Sequence, residues 1–181
     1  MVAAIASVIK ASLPAHDRIT MTGAAFNVAL GSWLLKAEAA HFDGLRFFNL
    51  PDEEFARLDV MAGFEYVPVP DNTLSLEAAE RMILDYQPEL ELEPDNARRN
   101  IVQWVLSYRA DLLRQQLHAV VVAIFFGEKG DEGGIRRYSA TYDLFEAFSI
   151  GGGVVTYHPG NTILDAVRDN DRVFFETKYS F

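Results

Sequence analysis

The last extended stretch of the chain carries Glu176-Thr177-Lys178, with Asp165, Asp169 and Asp171 just upstream. Carboxylates in such a set can hold a divalent cation, and a neighbouring lysine can orient or activate water for hydrolysis. On a strand of period two, Glu176 and Lys178 share a face. Of the four histidines, His158 is best placed to act as a base, because it follows a glycine-rich turn and a tyrosine. His16, His41 and His118 lie far apart, so no ligand pair emerges. His41 and His118 are expected at helix C-termini, where the dipole favours an imidazolium. Gly151-Gly152-Gly153 lacks the trailing Lys-Ser/Thr of a phosphate loop and reads as a turn. The chain has no cysteine, which excludes a thiolate nucleophile, a thiolate metal site and a disulfide scaffold. It also has no Gly-x-Ser-x-Gly elbow.

The acid-x-Lys pair with an upstream aspartate resembles the metal and base set of PD-(D/E)xK-type nucleases. That resemblance implies Asp171, Glu176 and Lys178, with His158, as a hydrolytic set. It extends to little more than these residues and a similar element order after Asp95, and it places the motif on the final strand. The net charge of −10 also opposes a phosphate backbone. A solvent-facing Glu/Lys pair opposite an aromatic face is therefore favoured, with no catalytic set, metal or cofactor expected.

The charge is concentrated. Between Asp52 and Asp95 lie thirteen acids and two bases, whereas the remainder carries fourteen bases and thirteen acids. An acidic face steers a basic partner. The leading expectation is a small cytoplasmic binding protein of immunity, inhibitor or adaptor type. Glu53, Glu54, Asp59, Glu65, Glu89, Glu91 and Glu93 would contact a basic protein, with no nucleic-acid or membrane contact. A metal-dependent hydrolase and a subunit of a larger assembly are the alternatives.

The elements expected to position these groups form a single α+β domain over 1–181, divisible into a mainly helical acidic part (1–94) and a helix-plus-sheet part (95–181). Helices are expected over 2–13, 23–41, about 51–61, 75–86 and 161–168. The small residues of 23–41 would allow homo-oligomer docking. The organising element is a long helix over 97–118, whose apolar residues cover an arc of roughly 220°. It is expected to pack on a mostly antiparallel sheet of about four to five strands. Ala119–Phe126 would be central and paired with 135–144, and further strands are expected at 45–50, 154–157 and 172–181. Glu65–Pro70 and the acidic Glu89–Glu93 would be extended edge segments. Trp104 and Val122 would lie in the core, and Arg109 would snorkel out of the helix.

Overall fold

A computed structural model describes residues 18–160 and 163–181. Nine strands follow one another: β1 (Thr20–Leu30), β2 (Trp33–Leu45), β3 (Phe55–Tyr66), β4 (Asn72–Ile83), β5 (Asn100–Leu112), β6 (Leu117–Phe126), β7 (Gly134–Phe145), β8 (Phe148–His158) and β9 (Arg172–Tyr179). Each pairs antiparallel with the next in one sheet of order β1 to β9. Among the described residues the only helical pieces are 3-10 turns at Pro88–Glu91 and Ile163–Val167.

This corrects the α+β expectation. The 97–118 segment is β5, a turn and the start of β6; 23–41 is the β1–β2 hairpin; 51–61 leads into β3; and 75–86 is mostly β4. Residues 45–50 fall chiefly in a loop, 65–66 end β3, and Glu89–Glu91 lie in a 3-10 turn. Within the expected 161–168 helix, Ile163–Val167 form the second 3-10 turn, and the 2–13 helix lies outside the described residues. The expected β6–β7 hairpin and β9 are present, and 154–157 is part of β8. Because 23–41 is a hairpin, its small residues form no helix through which copies could dock.

The two ends of the sheet differ. Short turns join the strands at one end (31–32, 67–71, 113–116 and 146–147). At the other end the connections are longer (46–54, 84–99, 127–133 and 159–171). The sheet is also staggered. The paired row from Leu30 and Trp33, at a hairpin tip, runs through Tyr66 and Tyr108 to Tyr138, seven residues short of the end of β7 at Phe145. At about 3.3 Å per residue and 4.8 Å per strand, this slippage tilts the strands by roughly 30–40°. That approaches the tilt of closed barrels.

The compact core lies under the long loops. Phe55, Ile83 and Leu90 are buried, with Leu45, Phe47, Leu50, Tyr86 and Ala97 packed around them. The Asp95 carboxylate accepts the backbone N–H groups of Phe48 and Asn49 at 3.0 and 2.7 Å, and Asn49 Nδ2 donates to the Glu89 and Leu92 carbonyls. Loops 46–54 and 84–99 are thereby locked together as a cap.

Candidate functional site: two faces of one sheet

Direct cross-strand partners share a face, so the register assigns every side chain. One face carries Phe26, Val28, Leu30, Trp33, Leu35, Leu58, Val60, Phe64 and Tyr66 on β1 to β3. It continues with Leu74, Leu76, Trp104, Leu106, Tyr108, Val121 and Phe125 on β4 to β6. Tyr138, Tyr142, Ile150, Val154, Val173, Phe175 and Tyr179 complete it. Its charged strand residues are Asp43, Glu80 and Arg136, each within three residues of a long-loop end. Much of this face is uncovered: Phe26 is 63% exposed, Phe175 74% and Val173 83%. Trp104 is thus a residue of this outer face and not of a core, and Val122 lies half-buried on the opposite face.

The opposite face is polar. Lys36, Arg57, Arg81, Arg109, Arg137, Arg172 and Lys178 stand against Glu38, Asp59, Glu65, Glu77, Asp111, Asp143 and Glu176, seven of each sign. Lys36 donates to Glu65 and, at 3.1 Å, to Glu77; these bonds raise its pKa. Asp59 lies between Arg57 (3.0 Å) and Arg81 (3.4 Å), while the Arg57 guanidinium stacks 4.2 Å from the Phe42 ring centroid. The Arg57 and Asp59 atoms pair by charge without hydrogen-bond alignment. A hollow of about 720 Å³ opens on this face, lined by residues from Met21 on β1 to Phe126 on β6. The polar face is the concave one. Small residues make room for the bend: a Cβ at Gly63 would stand 2.7 Å from the Leu76 carbonyl oxygen, and one at Gly153 2.2 Å from that of Tyr138. Phe55 and Ile83 share this face, so the loop cap roofs its long-loop end.

At the short-turn end of the concave face, His118 joins three strands. Its Nδ1 lies 2.6 Å from Asp111 on β5 and its Nε2 3.1 Å from Asp143 on β7. The two carboxylates hold its pKa above the ordinary 6.5, first through the Asp111 bond and then through the Asp143 bond. A raised folded-state pKa stabilises the fold fully below the unfolded value, and that contribution fades as pH rises through the folded value. The urea midpoint should therefore fall from pH 6 toward alkaline pH, and His118→Gln should flatten this slope. Parallel slopes for the two proteins would remove His118 as the cause.

The hydrolytic set does not assemble. Glu176 and Lys178 share the concave face, but Asp171 precedes β9 and accepts the Tyr157 N–H at 2.9 Å. Seven residues of strand, on the order of 20 Å, separate Asp171 from Lys178. His158 ends β8 with its side chain on the apolar face. Among the described residues, no group of three or more His, Cys, Asp or Glu could hold a metal. The seven acidic candidates also divide. Asp59 and Glu65 face the concavity, while Glu53, Glu54, Glu89, Glu91 and Glu93 belong to the loop cap or its flank. Glu54 there pairs with Arg46 at 2.8 Å, and Glu53 accepts from Gln87. The immunity or inhibitor assignment gains no support from any of this.

The Asp111–His118 pair was open to hairpin arithmetic, since both stand next to the terminal residues of strands joined by 113–116. Reading 97–118 as helix hid it. No helix among the described residues is long and apolar enough to cross a membrane, a statement that leaves strands aside. No family model, curated protein or solved structure matches the chain.

Proposed function

We propose that this chain forms the wall of a membrane β-barrel, with the apolar face against lipid and the charged face lining a polar interior. The segregation of the two faces carries the reading. Eight of the nine strands have 10–13 residues, enough for the roughly 9–11 that cross a bilayer at a tilt. Short turns at one end, longer loops at the other, and an outer apolar band with a polar interior are the marks of such barrels. Aromatic residues edge the band: Trp33, Tyr66, Tyr142, Phe148 and Tyr179 toward the short turns, and Phe125 toward the loops. A nine-strand face about 43 Å wide and 30 Å tall covers roughly 1,300 Å², well beyond the few hundred Å² that soluble monomers leave exposed. In this reading lipid replaces the cytoplasmic surroundings expected from composition, and the function is that of a membrane-embedded enclosure.

Both tryptophans, Trp33 and Trp104, belong to the apolar face. In bilayers whose acyl chains carry bromine, Trp104 fluorescence in the Trp33→Phe variant should be strongly quenched. Aqueous iodide should have little effect. Efficient iodide quenching with none from bromolipid would overturn the proposal.

The acidic cap supports a second reading that is compatible with the first. Glu89, Glu91 and Glu93 are exposed at the long-loop end, where a basic protein could be steered. Reversing all three to Lys should slow association with a captured basic partner at low salt. Equal rates before and after reversal, at two salt concentrations, would remove it.

A further inference from the structure

We propose that the sheet closes on itself by pairing β1 directly with β9, in parallel, giving a nine-stranded barrel from one chain. The inference rests on the membrane reading. In hydrocarbon no backbone N–H or C=O can stay unpaired, so an open sheet edge cannot face lipid. Among the described residues, β1 and β9 are the two edges of the sheet, each with one unpaired side.

The remaining choice concerns the neighbour. Every step of the meander reverses direction, so β1 and β9 run the same way, and their direct joint is parallel. Six strands, β1 to β6, already bend around one hollow. Among the described residues the sheet is open, with β1 and β9 unpaired with each other. Eight strands suffice to enclose a barrel filled with side chains, so nine are enough to close once the edges are brought together. Joining two chains would instead need an eighteen-stranded ring and a flatter wall. The concave sides of the two edges also match in size. β1 presents Met21, Gly23, Ala25, Asn27 and Ala29, three of the five small, while β9 presents Arg172, Phe174, Glu176 and Lys178, all large. Facing small against large is how interiors fill without voids. Neither edge is blunted for solvent on its outer side. β1 has no charge and no proline, and Phe26 and Phe175 carry the apolar band to both margins. Aligning the short-turn ends sets Leu30 beside Tyr179 and Val28 beside Thr177.

The chain lacks cysteine, so the joint can be tested by disulfide capture in the full chain refolded into bilayers. Val28→Cys is combined in turn with Val173→Cys, Phe175→Cys, Thr177→Cys and Tyr179→Cys, followed by mild oxidation. A disulfide needs Cα atoms within about 7 Å, which adjacent strands satisfy. One intervening strand would hold them about 10 Å apart. The expected result is a monomeric cross-linked product in most molecules, strongest for Thr177→Cys, reversed by reductant. A dimeric product would overturn the proposal in favour of a joint between copies. No product at any of the four positions would overturn it in favour of an intervening strand. Bromolipid quenching of Trp104 in the same samples separates the two claims: quenching without cross-linking defeats closure alone, and absent quenching defeats the membrane reading itself.

Discussion

Leu106→Arg will destabilise the protein folded in a bilayer by about 2–4 kcal/mol, the cost of an arginine at mid-depth on a lipid-facing strand. Gln103→Arg, on the same strand but facing the hollow, will change stability far less. Leu106 stands at the middle of β5 on the apolar face, 38% exposed, between Leu76 and Ala123. Gln103 lines the hollow, where Glu38 and Asp59 can receive a new cation. Were the apolar face wet, Leu106→Arg would be a surface change, within about 0.5 kcal/mol. The contrast between the two variants, read from urea unfolding in lipid vesicles, is therefore the sharpest mutational test of which face meets lipid. Equal, small effects of both would return the apolar face to water.

What could be read from the sequence was governed by how plainly each strand showed its period. Ala119–Phe126, free of charge and rich in branched residues, was legible as a strand paired with 135–144, and so was the closing segment from Arg172. β5 was not. Its even positions from Val102 to Leu112 are all apolar, but Ile101 and Val105 on the other face blur the alternation into something a helical wheel accepts. The turn that follows hid it further. Leu113, Arg114 and Gln115 take φ values of 51°, 58° and 66°, a left-handed run in residues that carry no turn signature. In β1 and β2 the abundance of alanine flattened the contrast between faces, and small residues suit a helix equally well. Gly151–Gly153 looked like a break because a glycine run usually is one. In the sheet these residues are interior positions where neighbouring strands leave no room for a side chain. The acidic quarter was visible in full, yet its division between paired carboxylates inside the concavity and exposed ones on the cap needed the register.

The cap supplies the other large effect. Leu90→Ala should cost it about 2–5 kcal/mol, the usual range for emptying a buried leucine site. Leu90 has 0% of its surface exposed and packs with Phe55 and Ile83 in the core cluster of the described residues. Loops 46–54 and 84–99 depend on that contact, whereas the strand ladders do not, so the loss should open the cap and leave the sheet intact. Tyr86 provides a local reading. Burial first, then its bond to Glu91 and the nearby acidic charge, push its pKa up to about 12. When the cap opens, Tyr86 should titrate nearer the ordinary value of 10.0, because water then solvates the phenolate. Ultraviolet titration of Leu90→Ala, with Tyr86→Phe to identify the signal, measures this shift. Limited proteolysis should show new cleavage within 84–99 while the strand-rich remainder survives. An unchanged Tyr86 titration and no new cleavage would mean that the loops are held by the Asp95 and Asn49 hydrogen bonds and not by Leu90.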